Sequence, residues 1–135
     1  TLGHLNLRDI NLMIFPDWTQ PEETVGLELK EVIKSLVTHP NRAKMTLLID
    51  NSNITAEDVD LILSSVAMNL LMEEELEVDE GPEIILLGEL SQVQWSALIP
   101  QLQGRIKLEH ENGKAIASAK ASHITTLSLN DLANS

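Results

Sequence analysis

Met45-Thr46-Leu47-Leu48-Ile49-Asp50-Asn51-Ser52-Asn53-Ile54-Thr55 is the stretch on which the fold turns. Met45 to Ile49 is a largely apolar run without alternation, as expected of a strand buried on both faces. Asp50 to Asn53 reads as a turn, because short polar side chains hydrogen-bond their own backbone there. Thr55 then stands at capping distance from Asp58, and Val59, Ile62, Leu63, Val66, Leu70 and Leu71 follow at helical intervals.

The same succession of run, polar connector, cap and helix recurs outward in both directions. Ile10 to Phe15, Glu83 to Leu87, Arg105 to Leu108 and Ile124 to Leu129 are the other runs. Segments long enough for crossover helices separate them, which excludes simple hairpins and predicts one mainly parallel sheet of about five strands. With 135 residues and 43% apolar content, the chain is sized for a single core. The expectation is one three-layer α/β domain of Rossmann-like type over residues 1–135, with no low-complexity linker inside it.

The helices are read from their caps. Thr19 with Glu22 predicts a capping box before a first helix whose apolar face is Val25, Leu29, Val32, Ile33 and Leu36, ended by Thr38-His39-Pro40-Asn41. The second helix is apolar over much of its girth, so it is either the most buried one or presents a side to a neighbour outside the chain. Carboxylates oppose the dipole at a helix C-terminus, and the run Glu73 to Glu80 should therefore stop it as a solvated face, with Gly81-Pro82 closing the segment. Ser91 with Gln94 is a third capping box, opening an apolar face of Trp95, Leu98, Ile99 and Leu102 that Pro100 should shorten and Gly104 ends. Asn112 to Ser122 reads as a short helix, Thr1 to Asp9 as a polar lead and Asn130 to Ser135 as a polar tail.

Composition narrows the function classes. There are 21 acidic and 9 basic residues, a formal net charge of −12, which opposes a phosphate backbone or an anionic membrane. No nucleic-acid or membrane partner is expected. Aromatic content is 2%, so stacking on a base or sugar would have to use Trp18 or Trp95. Absence of Cys excludes disulfides and thiol chemistry and fits a reducing cytoplasm, the expected location. The least polar stretch, Leu61 to Met72, is too short to span a bilayer.

In a parallel sheet the ligand crevice lies beyond the carboxyl ends of the strands, where strand order reverses. That selects the connectors carrying Asp17 and Trp18, Asp50 and Asn51, Gly88 and Glu89, and Glu109, His110 and Glu111, with Asn130-Asp131 after the last run. The edge they form holds no Lys or Arg, whereas Arg8, Arg42, Lys44 and Arg105 sit at strand starts and are expected at the opposite edge. Neither a dinucleotide fingerprint nor a P-loop occurs, leaving helix N-termini as the means of holding a diphosphate. Asp17, Asp50 and Glu89 would have to converge to bind a hard cation. Without a ligand-spacing signature, turn roles are the simpler reading, and neither metal nor cofactor is expected.

Asp50 as a phosphoacceptor would need an acidic pair near the first strand and a Lys after the last, and neither is present. His110 between Glu109 and Glu111 is the best-placed general base, its plainer reading being a surface histidine in an acidic loop. His4, His39 and His123 fall in a tail or at turns, and no G-x-S-x-G elbow exists. Trp18 either stacks on a sugar ring or pins the first helix to the sheet; Trp95 belongs to the core or an interface.

Ile-Asn-Leu-Met-Ile-Phe-Pro-Asp-Trp-Thr-Gln-Pro-Glu-Glu (10 to 23), His-Pro-Asn-Arg-Ala-Lys-Met-Thr-Leu-Leu-Ile-Asp (39 to 50) and Gly-Glu-Leu-Ser-Gln-Val-Gln-Trp (88 to 95) resemble a module of bacterial multidomain glycosyltransferase-type proteins. The register is similar to the donor-binding half of group 1 glycosyltransferases. Members of that family carry an E-x₇-E motif and basic residues for the donor diphosphate, where this chain has Glu109-His110-Glu111-Asn112-Gly113-Lys114. The resemblance therefore implies a degenerate or incomplete donor-binding half, inactive alone, that works within a larger protein beside a neighbouring domain and holds a sugar nucleotide weakly at most. The alternative is a non-catalytic interaction domain, a homodimer through the apolar surplus of Val59 to Met72.

Overall fold

A computed structural model describes residues 7–133. Strands β1 (Ile10–Ile14), β2 (Met45–Ile49), β3 (Glu83–Leu86), β4 (Gly104–Ile106) and β5 (Thr126–Leu127) form one sheet in the order β3-β2-β1-β4-β5, every pair parallel. Helices α1 (Glu22–Val37), α2 (Ala56–Glu74), α3 (Gln92–Leu98), α4 (Gly113–Ala119) and α5 (Leu129–Ala133) flank it. The chain winds outward from β1 through α1 and α2, crosses the sheet, and winds the other way through α3 and α4. Strand order reverses between β1 and β4.

Alternate strand positions feed the two cores, as a two-residue period requires. Leu12, Ile14, Leu47 and Ile49 pack under α1, α2 and α5, against Val25, Leu29, Ile33, Leu36, Val66 and Leu132. Met13, Phe15 and Leu48 face the other way, against Trp95, Leu98, Ala115 and Ala119 of α3 and α4. Phe15 and Trp95 stack with ring centroids 6.2 Å apart. The result is a three-layer, Rossmann-like α/β domain.

Polar positions inside the strands anchor the amino-terminal edge. Asn11 is buried in β1; its amide donates to the carbonyls of Arg8 (3.0 Å) and Gln101 (3.2 Å), and its Oδ1 accepts from the Arg8 N–H at 3.1 Å. Thr46, its neighbour across the β1–β2 pair, accepts from the same N–H at 2.9 Å. Arg8 also reaches Glu83, 3.6 Å away, so this cation does sit at the starting edge of the sheet.

Several local expectations are corrected. Thr19 does not cap α1, because its N–H and hydroxyl both bind the Asp17 carboxylate; the helix begins after Pro21, whose fixed φ of −53° prepares the first turn. Strands β1 and β3 stop one residue short of Phe15 and Leu87, and β4 starts at Gly104 rather than ending a helix there. A Cβ on Gly104 would lie 3.0 Å from Leu127 and 3.1 Å from the Thr125 carbonyl, so the close β4–β5 approach needs glycine. Pro100 shortens α3 as expected, and the next turn is 3-10. Helix α4 ends at Ala119 and only Thr126–Leu127 pairs in β5, short of the expected Ser122 and the expected run from Ile124.

The carboxyl-terminal segment is not a plain polar tail. Ser128 and Asp131 exchange hydrogen bonds, each side chain accepting from the other's N–H, and start α5, which buries Leu132. Residues 1–6 of the lead and 134–135 of the tail lie outside the described residues. Helix α2 begins at a Thr55 cap and ends at Glu75, in the left-handed region at φ 55°, with Leu76 N–H returning to Leu70 O. Only Val59, Val66 and Leu70 of α2 are buried, so it is the helix that presents a side outward rather than the most buried one. Nor is its acidic end simply solvated. Glu73 and Glu74 bind Lys30 and Lys34 of α1.

Candidate functional site: a sealed strand edge and an open helical groove

All nine residues expected at the ligand edge lie on connectors leaving the carboxyl ends of the strands. The decisive place is the gap between β1 and β4, where the sheet switches direction and a nucleotide would enter. Backbone fills it. Pro16 and Glu111 form an antiparallel bridge, the Asn112 N–H donates to the Phe15 carbonyl at 2.9 Å, and the Asp17 N–H donates to the His110 carbonyl at 3.3 Å. The Asp17 and Asn112 N–H groups, donors that could meet a phosphate, are committed to the opposite connector.

Side chains tighten the same closure. Glu111 accepts from Arg105 at 2.8 Å and from the Leu108 N–H at 3.3 Å, and both charged side chains are largely buried. This corrects the expectation for Arg105: from the short β4 its guanidinium reaches the carboxyl edge instead of the opposite one. That cation is spent on Glu111. His110 turns to α1, where Glu28 accepts from its N–H at 3.0 Å and lies 3.2 Å from its Nδ1. Its charged contact is thus Glu28 rather than the flanking Glu109, which is exposed, or Glu111. Glu28 was not legible as a site residue, since it is remote in sequence and marked only by flanking the buried stripe of α1.

The remaining candidates hold turns. The Asp17 carboxylate accepts from the Thr19 hydroxyl and N–H and from the Gln20 amide, which together hold its pKa below the usual carboxylate range. Trp18 is half-buried, and its Nε1–H donates to the Asp50 carbonyl at 2.8 Å, tying the β1 connector to the β2 connector. Asn51 is buried and accepts from the Gly88 N–H at 2.6 Å, tying β2 to β3 in turn. Gly88 sits at φ 65°, a conformation only glycine adopts without strain. Glu89 is exposed.

Asp50 differs from these. It is fully buried; one carboxylate oxygen faces the Ser52 hydroxyl at 3.4 Å and the other has no hydrogen-bond partner. Burial pushes its pKa up against the opposing Ser52 contacts. Among the described residues, Ser52 is the one side chain that hydrogen-bonds this carboxyl. Among the described residues, no three His, Asp or Glu side chains assemble as a cation site requires.

Open space lies elsewhere. A groove of about 650 Å³ runs between α1 and α2, bordered by Glu23, Gly26, Leu27, Ile62, Ser65 and Asn69. A hollow of about 520 Å³ continues over the outer side of α2 along Leu61, Met68 and Met72. Trp18 borders a smaller recess of about 230 Å³ beside the first turns of both helices. No described helix is long and apolar enough to cross a membrane.

No family model, curated protein or solved structure matches the chain. The likeness to glycosyltransferase-type modules rests on the quoted residues alone.

Proposed function

We propose that this chain is a non-catalytic interaction module built on a Rossmann-like frame whose ligand crevice has been given up. The observation that carries this reading is the Pro16–Glu111 bridge with its two flanking hydrogen bonds, which occupies the switch point. Supporting it, Arg105, whose guanidinium reaches that edge, is bound to Glu111, and the apolar surplus lies on α2. The module works within a larger protein, in the reducing compartment that a chain without Cys suits, and does not bind nucleic acid. Titration with UDP-glucose and GDP-mannose by calorimetry tests it. No heat at millimolar donor is expected; a micromolar dissociation constant overturns it.

A second reading takes the chain as a degenerate donor-binding half of a glycosyltransferase-like protein. Strand order β3-β2-β1-β4-β5 favours it, since nucleotide-binding halves share that order. It requires the bridge to open. Donor binding that strengthens when Glu111→Gly loosens the connector would mark this second reading as the correct one.

A further inference from the structure

We infer that the α1–α2 face is a docking groove for a cationic amphipathic helix of a partner protein. This inference rests on the interaction reading above and names the partner's chemistry. Leu61, Met68 and Met72 are 67%, 59% and 72% exposed, and Leu27 of α1 is 63% exposed. On α2 these positions make a ridge about 16 Å long, three helical turns. Ser64 and Ser65 leave a dip within it, and methionines suit a surface that receives another side chain. Facing helices dock through residues at this spacing.

Gly26 supports an occupant. It sits inside α1, where glycine weakens a helix, yet nothing beyond the adjoining residues and the backbone of its own helix lies within 4 Å of the position a Cβ would take. Neither packing nor a left-handed φ demands glycine there. What the missing side chain does is leave the groove open at that point.

Charge selects the occupant. Helix α2 has no Lys or Arg; Glu57, Asp58 and Asp60 bracket the ridge at one end and Glu73, Glu74 and Glu75 at the other. Lys30 and Lys34 of α1 pair with Glu73 and Glu74, so the uncompensated charge at this end is the exposed Glu75, and the exposed Glu22 and Glu23 line the groove itself. A second copy docking by this ridge would set carboxylates against carboxylates whether the helices ran parallel or antiparallel. An anionic membrane is repelled by the same groups. A helix with an apolar stripe and Lys or Arg at both ends complements all of it.

The test is fluorescence anisotropy with a labelled peptide of about fourteen residues, Lys-Lys-Leu-Ala-Lys-Leu-Leu-Ala-Lys-Ile-Leu-Ala-Lys-Lys, long enough to cover the ridge. One control peptide has Glu for every Lys; another keeps the composition but spreads the apolar residues around the helix. Saturable one-to-one binding is expected, absent for the Glu peptide and weakened about tenfold for the reordered one. Gly26→Trp, and separately Leu61→Ser with Met72→Ser, should each weaken it about tenfold while the melting temperature holds. Leu27→Ser replaces Gly26→Trp if the latter does not fold. No saturation, or equal binding by the reordered peptide and by the groove variants, overturns the inference while leaving the absence of donor binding untouched. A dimer by light scattering that Gly26→Trp abolishes also overturns it, the occupant then being a second copy.

Discussion

Asp50 follows β2 with a carboxyl group that is fully buried and half unpartnered, and its raised pKa makes stability depend on pH in a defined direction. The folded chain holds that proton more tightly than the unfolded chain, whose Asp titrates in the ordinary carboxylate range. Stability from this residue is therefore full below the unfolded pKa and is lost as pH rises through the folded one. Asp50→Asn removes the loss. Urea unfolding should find it about 1 kcal/mol more stable than the parent at about pH 7, with the gap closing towards about pH 4. At Glu75 the backbone pays for a left-handed residue with a Cβ, and a carboxylate opposes the dipole of α2. Glu75→Gly should gain about 1 kcal/mol by the same assay, more than Lys120→Gly at φ 57°, since Lys120 already carries the favourable sign for a helix end. Roles of this kind are unevenly legible. Asp17 as a turn residue follows from short-range chemistry, whereas the contact of His110 with Glu28 depends on residues 82 positions apart.

Elements were legible where a local rule acted alone. Thr55 and Ser91 cap α2 and α3 as their spacing predicts, because nothing competes for their hydroxyls. Thr19 fails as a cap for α1 because Asp17, two residues earlier, takes its hydroxyl first. In β1 the apolar run concealed Asn11, whose side chain ties Arg8, before β1, to Gln101, in the turn before β4. Asn11→Leu would leave the Arg8 and Gln101 carbonyls without their donor and should cost about 2–3 kcal/mol in urea unfolding, while Asn11→Ala adds a cavity to the same loss. Helix α1 offers the opposite sign. Gly26→Ala meets nothing outside its own helix and reduces the entropy of the unfolded chain, so it should stabilise by about 0.5–1 kcal/mol. That a glycine stands where alanine would fold better is the expected mark of a surface kept for contact.

At the scale of the molecule, the sheet could be read in advance because strands covered on both faces are continuous apolar runs, and five of them separated by helix-length segments admit few other arrangements. The closed switch point could not, since it is made by backbone groups of residues 15, 17, 110 and 112, which carry no sequence signal. The same holds for Arg105, placed at the wrong edge until the shortness of β4 let its side chain reach past the strand end. Whole-molecule charge then decides what the outward side of α2 does. An apolar ridge on a neutral protein would invite self-association, but with a net charge of −12 and carboxylates at both ends of the ridge, each copy repels the next. This repulsion is testable by reversing it. A Glu57→Lys, Asp60→Lys, Glu75→Lys variant, all three positions exposed, should pair with the parent chain through the two ridges. In low salt, at concentrations on the order of 0.1 mM, light scattering should give monomers for the parent alone and a dimer for the equimolar mixture, dissolving at about 0.5 M salt. If the mixture stays monomeric, like charge is not what keeps the copies apart, and the ridge is too small to hold a partner without a deeper insertion into the groove beside Gly26.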